Sequence, residues 1–211
     1  MVNSENLRKG AKNLLKNCAK LSNSDHLLVI LEDPSLGWYD EEIATVVVSE
    51  AESMGIKTEK IIVGAPKNKT NGFLEELMNK FDCTIFFARI GDQDRFEKKT
   101  IKKKRIMSYA RNLVSLASSF GSTNYQATLE MKNEINNLIY QSRKIEVECP
   151  LGTNLIGKML IDKAVEQSDV TVTRFPIVVP MPISASSFSG EVIISNYLTS
   201  TGSKVYEPAS L

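Results

Sequence analysis

Three short apolar runs separated by stretches of helical spacing constrain this chain more than any other feature. They are HLLVILED (26–33), KTEKIIVGAP (57–66) and FDCTIFFARI (81–90). Runs of this length and β-branched character read as buried strands. Between and before them, residues 5–20 set Leu7, Ala11, Leu14, Leu15 and Cys18 at helical spacing. Asp40 stands where a helix cap belongs, ahead of EEIATVVVSEAESM, and Gly55 follows where a helix C-terminus prefers glycine. A further helix is expected from Asn71 to about Lys80. Strands alternating with helices in this way imply a parallel sheet covered on both faces, hence an α/β fold.

Beyond the third run the chain turns polar. GDQDRFEKKTIKKKRIMSYAR (91–111) reads as a long connection or irregular insert. Residues 124–140 then return to helical spacing, with Leu129, Ile135, Leu138 and Ile139 near one face and Thr123 as the expected cap. KIEVECP (144–150) is read as a fourth strand, stopped by Pro150. After it come short β-prone pieces, VTVTRFPIVVP and EVIISNYL, divided by Pro, Gly and Ser. The expected organisation is therefore an α/β domain over residues 1–150 and a β-rich C-terminal extension over 151–211.

Composition excludes several classes. With 26 Lys+Arg against 25 Asp+Glu the net charge is +1, so no basic excess points to nucleic acid. No apolar run approaches the roughly 18 residues of a membrane span, and the N-terminus lacks a signal peptide's apolar stretch. A cytoplasmic protein with no membrane or nucleic-acid partner is expected. Cys18, Cys83 and Cys149, far apart and odd in number, fit reduced buried thiols. His26 is the single imidazole and there is no CxxC pair, so the usual zinc sets and the two-His iron set are excluded. Its place at the head of an apolar run suits a structural histidine. No metal, cofactor or catalytic residue is assigned on these grounds.

Candidate ligand contacts gather where the strands end. No P-loop and no GxGxxG is present, and VGAPKNKTNG suits an ordinary strand-to-helix turn as well as an anion. Arg89 and Arg95 bracket the end of the third run and Arg111 follows the polar insert. Ligands of open α/β sheets collect beyond the carboxyl ends of the strands, where a guanidinium grips a carboxylate by its fork. The alternative is ion pairing with Asp92, Asp94 or Glu97, a trio whose spacing lacks the rest of a calcium loop. SLASSFGSTNYQ (115–126) combines small hydroxyl residues with a helix start, which nominates Ser119, Thr123 and Tyr125. CPLGTN (149–154) nominates Thr153 and Asn154, with a plain turn around a buried Cys149 as the alternative. Ser186 lies in PISASSFSGE (182–191), a polar loop that either folds over a ligand or joins two strands.

Taken in order, ARIGDQDRF with SYARN, SLASSFGSTNYQATLEMKNEINNLI, CPLGTNL, PISASSFSGEV and TSTGSKVYEP resemble the N-terminal half of a bacterial superfamily. It contains the M29-type leucyl aminopeptidases (thermophilic metalloproteases) and the iron-dependent 2,5-dihydroxypyridine 5,6-dioxygenases. The resemblance implies a Rossmann-like parallel sheet flanked by helices, leading into a second domain. It also implies that the family's metal ligands, mainly in the C-terminal domain, fall outside this chain, which stops at YEPASL. Where relatives often carry His after the FGST-like turn, Asn124 stands here. Two readings follow. In one, the chain is a non-catalytic relative that binds a peptide or small carboxylate, as an accessory to partner enzymes in peptide natural-product biosynthesis, and self-associates as a homodimer. In the other, it is the N-terminal part of a metal-dependent aminopeptidase or ring-cleaving dioxygenase whose metal site lies on another domain or chain.

Overall fold

β1 (His26–Glu32) is buried at every position after His26, and β3 (Cys83–Phe87) is buried throughout. A strand buried at successive positions has both faces covered, as the apolar runs require. The computed structural model describes residues 2–67, 72–93, 103–158, 172–178, 185–195, 197–198, 204–205 and 209–210. The chain divides into two units, Met1–Met131 with Ser168–Val179, and Lys132–Gln167 with Pro180–Leu211.

The first unit is built on a parallel five-stranded sheet. β2 (Lys57–Val63) pairs with β1 from His26↔Lys57 to Glu32↔Val63, and β1 pairs with β3 from Leu27↔Cys83 to Leu31↔Phe87. β4 (Lys104–Ser108) and β7 (Thr173–Phe175) extend it, giving the order β2-β1-β3-β4-β7. Helices α1 (Ser4–Lys12), α2 (Glu41–Ser53) and α3 (Gly72–Met78) stand where helical spacing places them. α2 packs on β1 and β2 through Ile43, Ala44, Val47 and Ala51. α1 continues into a π-helical turn, Asn13–Cys18, marked by Ala19 N–H donating to the Leu14 carbonyl at 2.9 Å. Leu14 and Leu15 of that turn are fully buried in the same core as Ile30, Ile85, Ile106 and Phe175.

Four expectations change here. KTEKIIVGAP is not a buried strand: β2 is at the edge of the sheet, exposed or half-buried at every position, with Ile62 56% exposed. The insert read over 91–111 contains β4, a buried strand in the sheet. Its sequence, KRIMS, opens with two cations, but Arg105 is only 7% exposed because the Glu75 carboxylate of α3 takes both ends of its fork, at 2.7 and 3.1 Å. The sheet's remaining strand is β7, from the region read as extension, and not the KIEVECP strand. Thr123 does not cap α6 (Tyr125–Gln141): the Asn124 side chain accepts the Gln126 N–H at 2.9 Å, and Thr123 donates its hydroxyl to the Ser119 carbonyl instead.

In the second unit, β5 (Ile145–Glu148) and β6 (Asn154–Gly157) form an antiparallel hairpin, joined on the far side of β6 by β8 (Ser189–Glu191). The hairpin's Val147 and Ile156 are exposed. This alternating, half-solvated texture is what separates KIEVECP from the buried runs of the parallel sheet.

Candidate functional site

In the strand order β2-β1-β3-β4-β7 the chain leaves β1 toward one edge and returns at β3 to build the other. The carboxyl ends of β1 and β3 therefore flank the topological switch point, where folds of this kind leave a crevice. Glu32 is the last residue of β1 and is 1% exposed; Arg89 follows β3 in the short 3-10 turn Arg89–Asp92. The Arg89 main-chain N–H donates to Glu32 Oε2 at 2.8 Å, its Nε to Oε1 at 2.9 Å, and its Nη2 also to Oε1. These bonds hold Arg89's proton more tightly than in an ordinary arginine. The partner of Arg89 is thus the buried carboxylate of β1, not Asp92.

The loop leaving β1 is shaped locally. Hydrogen bonds from Ser35, first its side chain and then its N–H at 2.9 Å, keep the Asp33 carboxyl below the usual range, and Gly37 takes a left-handed φ of 72° that closes the turn Pro34–Leu36. Trp38 emerges from this loop 40% exposed. The Arg89 guanidinium lies 4.3 Å and that of Arg111 5.1 Å from the Trp38 ring centroid, both within cation–π range. Asp40 N–H donates to the Arg111 carbonyl at 3.0 Å, tying the loop to the chain after β4. Between them Tyr39 turns inward, its hydroxyl donating to the Ser108 carbonyl at 2.9 Å, and burial pushes it up to about 12. Tyr109 donates to Asp92 at 2.7 Å.

Arg89 and Arg111 are therefore brought together on one aromatic ring, in different states. Arg89 is paired with Glu32 through Nε and Nη2. Arg111 is exposed, and among the described residues no carboxylate pairs with it. An open groove of about 630 Å3 runs along the same loop, lined by Pro34, Tyr39, Leu113 and the acidic Asp40, Glu41 and Glu42; neither arginine lines it. A forked cation beside an exposed indole can take a carboxylate through its N–H groups while the ligand's apolar part lies against the ring.

The other nominated residues lie elsewhere. Arg95 is outside the described residues, as are Asp94 and Glu97 and the tip of VGAPKNKTNG. Ser119 and Thr123 lie between α4 (Leu113–Ala117) and α6, Ser119 opening the helical turn Ser119–Ser122, and Tyr125 opens α6; the backbone of this stretch is used inside the fold. Asn13 Nδ2 donates to the Gly121 and Thr123 carbonyls at 2.8 and 2.6 Å, and Tyr125 N–H donates to Asn13 Oδ1 at 2.9 Å. The Tyr125 side chain is buried beside Phe175 and Cys18, and burial raises the pKa of its hydroxyl. Thr153, Asn154 and Ser186 are in the second unit: Thr153 Oγ1 accepts the Ile193 N–H at 3.0 Å, Asn154 begins β6, and Ser186 lies in the turn Ala185–Ser187. His26 sets its Nε2 3.2 Å from Glu59, without a hydrogen bond, and its ring 4.4 Å from that of Phe81.

Sequence reasoning passed over Glu32 and Trp38. Both had a signal: an acid closing an otherwise apolar strand, and the chain's single tryptophan in the loop that follows it. Cys18 and Cys83 are buried as expected, but Cys149 is half-buried. Among the described residues no group of three or more His, Cys, Asp or Glu side chains stands together as a metal site, and no helix is long and apolar enough to cross a membrane.

No protein-family model and no curated protein matches the chain. Its fold is similar to that of the 2,5-dihydroxypyridine dioxygenase from Pseudomonas putida KT2440, with a TM-score of 0.56 at 10% sequence identity over 92% of this chain. The chain spans 60% of that enzyme's length. At this identity the likeness is one of fold: a mixed α/β architecture with a five-stranded parallel sheet, helices flanking it, and a separate antiparallel sheet on the C-terminal side.

Proposed function

We propose that this chain is a binding protein for a small carboxylate or the carboxylate end of a peptide, held by Arg111 against Trp38. The observation that carries the reading is the contrast between the two arginines on one indole: Arg89 is paired with Glu32, while Arg111 keeps an exposed fork with no carboxylate partner among the described residues. Binding without turnover is favoured because the only imidazole lies beside Glu59 and Phe81 at the opposite, amino end of β1.

Trp38 is the sole tryptophan, so its emission reports directly on the site. Titration with succinate, benzoate and glycylglycine should change it saturably for at least one of them. Arg111→Ala should weaken that binding about tenfold or more, the worth of a charge-assisted hydrogen bond. Emission that follows ionic strength alone, identically in wild type and Arg111→Ala, would overturn the reading.

A second reading has one observation in its favour, the fold likeness to a dioxygenase of which this chain spans 60%. In it, the chain is the N-terminal part of a metal-dependent enzyme of the aminopeptidase and dioxygenase superfamily. Oxygen uptake with 2,5-dihydroxypyridine and added Fe(II), or release of an N-terminal amino acid with added Zn(II), would establish it if the chain alone or with a partner domain turned over.

A further inference from the structure

We propose that the switch-point crevice contains a carboxylate-binding position whose occupant is the chain's own Glu32, so that the crevice is closed from within and an external anion is left to Arg111. The last clause rests on the proposed function; the self-occupied position does not. Its basis is the way Arg89 meets Glu32. A main-chain N–H just beyond β3 and the Nε–Nη2 edge of the guanidinium converge on one carboxylate, at 2.8 and 2.9 Å for the first two. Oriented backbone and forked side-chain donors of this kind are how proteins grip a free carboxylate. The location is also the one where open α/β sheets receive ligands. Here the carboxylate arrives on a strand of the same sheet, 1% exposed, and among the described residues Arg89 alone supplies its hydrogen bonds.

The inference has a chemical test, because Glu32→Ala removes the atoms of acetate: Cγ corresponds to the methyl, and Cδ with both Oε atoms to the carboxylate. The vacated position should therefore bind acetate. It should be tested in an Arg111→Ala background, so that binding at Arg111 contributes nothing and the outcome is separable from that of the proposed function. The readouts are Trp38 emission, since Arg89 held by a carboxylate stacks on that ring, and the thermal midpoint.

In Glu32→Ala/Arg111→Ala, acetate is expected to restore most of the lost midpoint and to return the emission toward that of Arg111→Ala, both saturably. Chloride at equal ionic strength should do neither, and Arg111→Ala alone should not respond. Equal effects of acetate and chloride, or none, would overturn the proposal. Should that variant fail to fold, Arg89→Ala/Arg111→Ala examines the same position from the other side, since Arg89 lies nearer solvent. Methylguanidinium at millimolar concentration should then raise its midpoint where methylammonium does not, and equal effects of the two cations would again overturn the proposal.

Discussion

Asn13 and Tyr125, on separate elements far apart in sequence, are joined by a buried hydrogen bond in which Tyr125 N–H donates to Asn13 Oδ1 at 2.9 Å. The same amide donates to two carbonyls of the turn before α6, and Asn17 donates to it in turn at 3.0 Å. The π-helical turn is what carries Asn13 into the interior, 2% exposed. Asn13→Ala should leave three backbone groups without partners and lower stability by about 2–4 kcal/mol in urea titration. Asn13→Asp should be no better, since its carboxylate would face the Gly121 and Thr123 carbonyls.

Gly10 inverts the usual helix preference. A Cβ at this position in α1 would stand 2.1 Å from the Leu116 carbonyl oxygen, where α1 meets α4. Alanine's higher helix propensity is worth about 1 kcal/mol, but α1 would have to move off α4. Gly10→Ala is expected to lower the unfolding free energy by about 1–3 kcal/mol, as overpacking does.

The thiols should separate cleanly in alkylation. Cys149 is half-buried, and hydrogen bonds from Thr153, first its side chain and then its backbone, together with the Leu151 N–H, hold its thiol below the usual range. Native protein near neutral pH should take up iodoacetamide at Cys149, and at Cys18 and Cys83 only on unfolding, as read by peptide mass mapping. Thr153→Val should slow the native reaction near neutrality and leave it unchanged at alkaline pH, where the thiolate is fully formed in both.

Burial pushes Cys18 and Cys83 up from 9.0 to about 12, and Tyr39 from 10.0 to about 12. These groups ionise in the unfolded chain at their ordinary values while the folded chain keeps them protonated. Their contribution to stability is therefore complete below about pH 9 and is lost as pH rises toward about 12, with a limiting slope of about 1.4 kcal/mol per pH unit for each group. Urea midpoints should fall steadily over that window, and Cys18→Ala/Cys83→Ala should flatten the decline while lowering the overall level.

Much of the framework is legible in the residues. HLLVILED and FDCTIFFARI lack room for a polar face, so both had to lie inside a covered sheet, and they are β1 and β3. Asp40 and Gly55 bracket α2 as the capping pattern implies, although Asp40 makes no side-chain cap. β4 was hidden because two of its five residues are cations, and the acid that allows Arg105 inside is on another element. β7 lies in VTVTRFPIVVP, read as a β-prone piece of the extension; its place in the parallel sheet was hidden because that depends on pairing with the distant β4. At the site, Arg89 and Arg111 stand out in the sequence, while their common ring and their unequal pairing do not.

The sequence by itself determined that an α/β core would form, because hydrophobic period and helix signals act over a few residues. Which charges cancel was decided only by the tertiary structure. Glu32 and Arg89 are 57 residues apart, and only the adjacency of β1 and β3 brings them to hydrogen-bond distance. That adjacency leaves Arg111, on the same indole, as the guanidinium open to solvent, and the reason is geometric: a carboxylate can saturate only the donors that the sheet places within its reach.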